Sequence, residues 1–283
     1  MTKKVGLALG SGSVKGVAHI GVIQALEENG VPIDLVAGSS AGAIVGSIYS
    51  VGTDLSLLGR YFEAINSRDF MDMTVPRNGK GGVVKGNRMQ EMVRIFTHDK
   101  TFLETRIPFI CMAVDVETGD LIAFQNTDKK LHECVRASMS IPGIFTPVRM
   151  DGRLLVDGGV LERVPCIPLR EAGADVVIGV DVGYRGGVKR IETPTARALA
   201  DRSLDIMMWH ITRIRQEAAD VMLCPHVLDL MKWFSNKNTR EGIEEGRRVA
   251  EEAMPRILEI LERHEIPLRP KKQFRAISRS AQR

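Results

Sequence analysis

The 283-residue sequence lacks the charge imbalance that is typical of nucleic-acid-binding proteins. Its 39 Lys and Arg residues are nearly balanced by 35 Asp and Glu residues. Six of the basic residues, and no acidic residue, lie within positions 269–283, which leaves 33 basic and 35 acidic residues in the rest of the chain. A nucleic-acid-binding domain needs a broad basic surface. We therefore expect no nucleic-acid partner.

Cysteine pairs with metal-binding or redox spacing are also lacking. The four cysteines are far apart in the chain and lie among apolar neighbours: Cys111, Cys134, Cys166 and Cys224. We expect buried free thiols and a cytoplasmic location. The apolar run 5–9 is too short for a secretory leader, and the uncharged stretch 35–53 is rich in Gly and Ser. We interpret that stretch as a buried strand and helix, not a membrane span.

The chain begins with an apolar strand that leads into a glycine-rich loop. Val5–Leu9 is typical of a strand buried on both faces, and a predicted helix follows at about 17–29. The loop between them contains Gly10, Ser11, Gly12, Ser13, Val14, Lys15 and Gly16. A dinucleotide-binding loop would need a third glycine where Lys15 stands, and the Gly-Lys-Ser/Thr of a Walker A loop is missing. The remaining N–H groups and one cation suit either an oxyanion or a phosphate.

A second strand and helix enclose a serine between small residues. Within 35–45, Gly38, Ser40 and Gly42 fit the G-x-S-x-G pattern of a nucleophile elbow. Small neighbours are needed because the backbones of strand and helix nearly touch at such a turn. The turn directs the N-terminus of the helix at any oxyanion that forms on Ser40. At this point a simple turn, in which Ser40 only caps the helix, is the alternative.

Beyond the elbow, predicted strands alternate with predicted helices. The strands are a hairpin at 107–116 and 121–124, then 154–156, 176–182 and 224–228. The helices are 54–66, 87–96 with Asn87 as its cap, 131–138, 167–172, 195–221 and 240–263. This alternation predicts a three-layer α/β/α sandwich with a largely parallel central sheet.

The chain divides into three regions by composition. We expect a catalytic core over 1–185, a mainly helical continuation of the same domain over 186–268, and a disordered basic tail over 269–283. The glycine-rich segment 67–86 has the length and composition of a mobile lid.

The motifs together resemble the patatin-like phospholipase family. Gly10–Gly16 is similar to the family's glycine-rich loop, and Gly38–Gly42 is similar to its nucleophile elbow. Residues 137–147 resemble the block that precedes the family's acid, and Asp157-Gly158-Gly159 resembles its D-G-G/A motif. The resemblance covers about residues 5–180 in the family's order, and it implies a patatin-like fold.

Carried over to this sequence, the resemblance implies a Ser-Asp dyad. Ser40 is then the nucleophile and Asp157 its base, while the amides of Ser11, Gly12 and Ser13 form the oxyanion hole. The remaining motif positions are Gly10, Lys15, Gly16, Gly38, Gly42, Gly158 and Gly159. The resemblance implies neither a cofactor nor a metal.

The sequence departs from the family's pattern at five positions. Ser11 and Ser13 replace glycines that are common in the loop. Lys15 stands where Arg is usual, which keeps the charge but loses the bidentate fork. Glu162 and Arg163 replace the Asn often found after D-G-G, so the contacts around Asp157 need not follow the family's.

A Ser-His-Asp triad is the alternative that the residues themselves suggest. His210, His226 and His264 follow Asp157, but none has the small-residue setting at a strand end that a catalytic histidine needs. We expect His19, near the glycine loop in sequence, to make a secondary polar contact. An aspartate can act as the base if it contacts the serine and is desolvated.

The predicted function is a serine acyl hydrolase that cleaves fatty-acyl esters of phospholipids or lysophospholipids through an acyl-enzyme. The alternatives are a non-catalytic lipid-binding or scaffold protein with the same pocket and, against the loop pattern, a nucleotide-binding oxidoreductase. The expected partners are a lipid ester and, through the lid and the tail, the surface of an anionic membrane. Head group, acyl chain length and oligomeric state are left open by the sequence.

Overall fold

The computed structural model describes residues 3–65, 72, 82–188, 190–227 and 235–271. They form an eight-stranded sheet flanked by helices. The strands are β1 (Val5–Leu9), β2 (Leu35–Ser39), β3 (Phe109–Asp115), β4 (Leu121–Phe124), β5 (Val148–Met150), β6 (Arg153–Asp157), β7 (Val176–Val180) and β8 (Val221–Leu223). The helices are α1 (Ala18–Glu28), α2 (Ala41–Ser50), α3 (Leu55–Ala64), α4 (Asn87–Phe96), α5 (Leu131–Ser138), α6 (Cys166–Glu171), α7 (Ala196–Arg215) and α8 (Asn236–Arg263).

The larger part of the sheet is parallel. Strands β3, β2, β1, β7 and β8 are neighbours in that order and run in the same direction. Strands β4 and β6 run antiparallel to β3, and β5 runs antiparallel to β6. The α/β class and the predicted hairpin, which forms as β3 and β4, are confirmed.

Strands β2 and β6 lie end to end along one edge of β3. Both β2 and β4 pair with Met112, and both β4 and β6 pair with Ala113, so β4 occupies one edge and β2 and β6 share the other. Ser39 is opposite Met112, and Asp157 is opposite Ala113. Because β6 runs against β2, the carboxyl ends of the two strands meet. This meeting point brings the elbow and the aspartate together.

Each face of the sheet packs against helices. Successive residues of a strand point to opposite faces, and in β1 Leu7 and Leu9 belong to one core cluster while Ala8 belongs to the other. The cluster with Leu7 and Leu9 also contains side chains of α1, α2, α3 and α8. The cluster with Ala8 contains Cys166 and Leu169 of α6. The sheet is thus the middle of three layers.

Helices α1 and α8 touch backbone to backbone. A Cβ atom on Gly21 of α1 would lie 1.9 Å from the carbonyl oxygen of Ile243, and one on Gly246 of α8 would lie 2.0 Å from that of Ala18. Real Cβ atoms do not approach other atoms so closely, so both positions require glycine. The C-terminal helix is therefore joined to the same layer as the first helix.

The largest differences from the predicted elements are at the start of α4 and around β8. Gly86, with φ of 81°, precedes α4, and the carboxylate of Asp72 accepts the N–H groups of Gly86 and Asn87 at 2.7 and 2.9 Å. The prediction of Asn87 as the cap is wrong, because an acid 15 residues away provides it. The predicted strand at 224–228 is also wrong. Helix α7 ends at Arg215, and the strand is Val221–Leu223, which joins the sheet beside β7.

The start of the predicted tail is part of the fold. The amide of Arg269 donates to the carbonyl oxygen of Gly30 at 2.7 Å, and its guanidinium pairs with Asp34. Residues 272–283 lie outside the described residues, as do 67–71 and 73–81 of the predicted lid. Among the described helices, none is both long enough and apolar enough to cross a membrane.

Candidate active site

The predicted elbow is present between β2 and α2. Ser40 has φ of 52° and ψ of −117°, a strained conformation for a residue with a side chain. Crowding enforces it, because a Cβ on Gly42 would lie 2.0 Å from the carbonyl oxygen of Leu9. The amide of Ser40 donates to Oγ of Ser138 at 2.9 Å. Its side chain makes no capping bond to α2, which contradicts the alternative that it only caps the helix.

The Ser40 side chain instead faces the carboxylate of Asp157, whose pKa it acts to lower, and both residues line one cavity. Both residues are buried, and the amide of Gly159 donates to Oδ1 of Asp157 at 2.7 Å. The amide of Asp157 donates to the carbonyl oxygen of Ser140 at 3.0 Å. Burial raises the pKa of Asp157 to about 6, although the nearby Ser40 hydroxyl and the bond from Gly159 act to lower it. Asp157 can therefore bind a proton near neutral pH.

The glycine loop lies beside the elbow, since β1 and β2 are adjacent. The amide of Ser11 donates to the carbonyl oxygen of Arg163 at 2.9 Å, so it is used within the fold. In the part of the chain that the structure describes, no backbone hydrogen bond has the N–H of Gly12 or Ser13 as its donor. Both residues line a cavity together with Ser40. Two of the three predicted oxyanion-hole amides can thus reach a ligand.

A buried histidine forms a hydrogen bond with the backbone of the glycine loop. The Nε2–H of His19 donates to the carbonyl oxygen of Gly10 at 2.8 Å. Burial lowers the pKa of His19 to about 4, so the ring is neutral. It makes the secondary polar contact that the sequence predicts. The cavity is not lined by His210, His226 or His264, nor by any other histidine of the described ranges.

Two consecutive carbonyl groups hold the elbow and the loop in place. Oγ of Ser39 donates to the carbonyl oxygen of Glu162 at 2.5 Å, and the amide of Ser11 donates to that of Arg163. The Arg163 guanidinium is buried against Asp181, with Nη2 and Oδ2 2.6 Å apart. Glu162 pairs with Arg215 of α7. These are the departures from the family's pattern, and they support the site through backbone and ion-pair contacts that sequence reasoning missed.

The cavity has a volume of about 220 Å³ and polar and apolar sides. The loop, the elbow and Asp157 form its polar end. Its other walls come from the turn after α5, from the segment 158–163, from the segment after β7 and from α7: Ile141, Pro142, Ile144, Val160, Arg163, Gly183, Tyr184, Asp201, Leu204, Asp205 and Met208. Lys15 of the loop also lines it. Within the described ranges, no three His, Cys, Asp or Glu side chains are grouped so that they could hold a metal ion.

Comparison with known proteins gives relatives of different lengths. An uncharacterized NTE family protein of Mycobacterium tuberculosis (strain ATCC 25618 / H37Rv) is 36% identical over 196 residues, which are 69% of this chain and 54% of the relative. Lysophospholipase NTE1 of Meyerozyma guilliermondii is 33% identical over 191 residues, which are 63% of this chain and 12% of that protein. The chain thus spans about half the length of the mycobacterial relative.

The fold has a counterpart among solved structures. VipD from Legionella pneumophila aligns with a TM-score of 0.60 at 13% identity, covering 93% of this chain and 67% of VipD. The model of one family, described as Patatin-like phospholipase, matches residues 7–170. That range includes the glycine loop, the elbow and Asp157, and it exceeds half of the sequence. On this match the chain belongs to the patatin-like phospholipase family.

Proposed function

We propose that this protein is a serine acyl hydrolase that cleaves fatty-acyl esters of phospholipids or lysophospholipids. The observation that carries the proposal is that the Ser40 side chain and the buried carboxylate of Asp157 meet in one cavity. The cavity is also lined by Gly12 and Ser13, whose amides donate to no backbone acceptor among the described residues. Membership of the patatin-like phospholipase family supports a lipid ester as the substrate, as does the relative named lysophospholipase.

In the first step, Oγ of Ser40 attacks the ester carbonyl carbon while its proton moves to the Asp157 carboxylate. A pKa of about 6 leaves most Asp157 side chains ionised at pH 7 but makes them better proton acceptors than an exposed aspartate. The N–H of Gly159 holds one oxygen of the carboxylate, so the acceptor is already oriented. The electron pair of the C=O bond moves to oxygen and creates an oxyanion.

The amides of Gly12 and Ser13 and the N-terminus of α2 then stabilise this oxyanion. The Ser11 amide does not belong to this oxyanion hole, because it donates to the carbonyl oxygen of Arg163. Each oxyanion donor is worth about 2.7–4 kcal/mol in enzymes where one has been removed. The tetrahedral intermediate collapses as Asp157 returns the proton to the leaving alcohol. Water, activated by the same carboxylate, next attacks the acyl-enzyme and releases the fatty acid.

A fluorophosphonate probe tests the proposal, because it labels an activated serine covalently. We expect label on the wild-type protein and none on Ser40→Ala, together with loss of lysophospholipid hydrolysis. Ser47→Ala is the matched control. Ser47 is a buried serine of α2, the helix that follows Ser40, and its hydroxyl donates to the carbonyl oxygen of Ile44. The control should keep both label and activity.

Label or turnover that survives in Ser40→Ala would contradict the assignment of the nucleophile. A wild-type protein that binds lysophospholipid but takes no label would instead favour the lipid-binding or scaffold alternative. Hydrolysis of diacyl and monoacyl phospholipids, followed by mass spectrometry of the products, distinguishes a phospholipase A from a lysophospholipase.

A further inference from the structure

Exposed apolar side chains are concentrated near one helix. Eleven large apolar side chains of the described residues are exposed, and five of them are scattered over separate segments. The other six lie between positions 188 and 214: Val188, Ile191, Leu199, Ile206, Met207 and Ile214. Soluble surfaces carry single exposed apolar residues as a matter of course, but a group of this kind marks an interaction site.

Helix α7 has two opposite faces. At about 100° per residue, Leu199, Ile206, Met207 and Ile214 fall within an arc of about 100°. We call these four residues the outer stripe. The residues of α7 that line the catalytic cavity fall in an arc of similar width on the other side: Asp201, Leu204, Asp205 and Met208. One helix therefore separates the cavity from an exposed apolar surface.

Polar contacts hold α7 on the body of the protein. Among its described side chains only Thr212 is buried, and none belongs to either core cluster. Arg215 pairs with Glu162, and the Arg163 guanidinium lies 5.5 Å from the ring of Trp209. The helix is thus tied to the two residues whose carbonyl groups hold the elbow and the loop. Its outer stripe makes no contribution to the core.

The charge of this region is positive. Between positions 185 and 215 there are seven Lys or Arg residues and three acidic residues. Two of the acids, Asp201 and Asp205, are on the cavity side of α7. Arg190 and Arg213 are exposed. Arg213 belongs to α7 and, at about 100° per residue, lies about 20° from Ile206 at the edge of the outer stripe. An apolar stripe with an arginine at its edge, in a region of net positive charge, is the pattern of a helix that lies in the surface of an anionic membrane.

We propose that the outer stripe docks the protein on an anionic lipid surface and so holds the cavity next to its substrate. The inference rests on the proposed function, because only a lipid ester substrate requires the catalytic cavity to meet such a surface. Apolar side chains enter the lipid, and Arg213 together with Arg190, the other exposed basic side chain among the described residues of this region, pairs with the head groups.

Co-sedimentation with vesicles of equimolar phosphatidylglycerol and phosphatidylcholine tests the docking. The stripe variant carries Ile206→Ser, Met207→Ser and Ile214→Ser, none of which lines the cavity. The matched control carries Leu57→Ser, Ile95→Ser and Leu103→Ser, which are equally exposed apolar residues on other segments. We expect the vesicle partition coefficient to fall at least roughly tenfold in the stripe variant and to stay unchanged in the control. Circular dichroism checks that both variants are folded.

A soluble short-chain ester separates docking from catalysis. We expect wild type, stripe variant and control to hydrolyse it equally. Equal vesicle binding by all three proteins would overturn the docking proposal. If the same proteins hydrolysed the ester, the proposed function would be unaffected by that result. If none of the three hydrolysed the ester but binding still depended on the stripe, the proposed function would fail and the docking would stand.

Two other occupants of the outer stripe are outcomes of the same test. A wild-type dimer in solution that the stripe variant converts to a monomer, with no vesicle binding by either, would show that a second copy covers the stripe and would overturn the proposal. Wild-type binding that is equally strong on vesicles of phosphatidylcholine alone, or unaffected by added salt, would overturn the anionic part of the assignment.

Discussion

Two buried carboxylates, Asp157 and Glu162, lie five residues apart in the chain and differ in their partners. Burial raises the pKa of both, to about 6 for Asp157 and to about 7 for Glu162. Asp157 faces the hydroxyl of Ser40 and lines the cavity. Glu162 faces the guanidinium of Arg215 and does not line it.

The comparison shows that burial by itself does not make a carboxylate a base. In the proposed mechanism, the neutral hydroxyl of Ser40 leaves the Asp157 carboxylate able to accept a proton, and Ser40 supplies that proton. A guanidinium has no proton to give at neutral pH, so the Glu162 carboxylate serves as an anchor for α7. The same loss of hydration accompanies the proposed base at Asp157 and an ion pair at Glu162.

The largest expected difference between the two carboxylates is in activity. We expect Asp157→Asn to lower kcat/KM for a short-chain ester by roughly 10⁴-fold, by analogy with the acids of other serine hydrolases. Glu162→Gln keeps the size of the side chain and the backbone carbonyl that Ser39 uses, so it should lose less than about tenfold. Equal losses in the two folded variants would refute the division of roles.

A stability measurement tests the anchoring role of Glu162. Arg215→Met leaves the buried Glu162 carboxylate without its cation, and breaking a buried pair in this way costs about 3–5 kcal/mol. Arg215 is 32% exposed, so we expect the lower end of this range in the urea-induced unfolding free energy. Arg213→Met, a change at an exposed arginine of the same helix, is the matched control. Addition of Glu162→Gln to Arg215→Met should restore much of the loss, and a double variant no more stable than Arg215→Met would argue against the anchor.

Stability and activity should depend on pH in opposite directions through Asp157. Its pKa rises from 3.8 to about 6 on folding, so the folded state binds the proton more tightly than the unfolded state. The resulting stabilisation is present below pH 4 and is lost as the pH rises through 6; its upper limit is about 3 kcal/mol. Asp157→Asn should therefore be more stable than wild type at pH 8, with little difference near pH 4.

Wild-type kcat/KM should rise with pH through about 6, because the base must be ionised to accept the proton of Ser40. Urea unfolding of the two proteins at both pH values, together with the wild-type pH-rate profile, gives the measurement. If the fall in kcat/KM at low pH disappeared in Glu162→Gln, the group that titrates would be Glu162, and the assignment to Asp157 would be wrong.

The smallest expected effect concerns the amide of Ser40. Ser138→Ala removes the acceptor of this N–H in a buried place, which costs about 1–2 kcal/mol. Ser50→Ala is the matched control, because no partner of the buried Ser50 hydroxyl is found in the described residues. Thermal unfolding should show a lower Tm for Ser138→Ala and an unchanged Tm for Ser50→Ala. An unchanged Tm in both would mean that Ser138 does not hold the elbow.

The parts of the site that lie close together in the chain could be predicted from the residues alone. The glycine loop and the elbow were predicted from small residues within a strand, a turn and a helix, because contacts over so few positions leave only glycine and serine able to fit. The α/β class followed from alternating apolar segments. The role of Asp157 could be predicted only from the family resemblance, since nothing in the local sequence of a D-G-G turn indicates that it will lie beside Ser40.

How these pieces meet depends on contacts between distant parts of the chain. Spacing along the chain does not indicate that β6 would run against β2 on the same edge of β3, and this arrangement sets Asp157 beside Ser40. Nor does spacing along the chain indicate that the amide of Ser11 would donate to the carbonyl oxygen of Arg163, or that the carboxylate of Asp72 would cap α4. The two faces of α7 are another case: its sequence has apolar residues on both sides, and only the position of the cavity distinguishes them. In each instance the deciding contact joins residues far apart in the chain, which local periodicity does not specify.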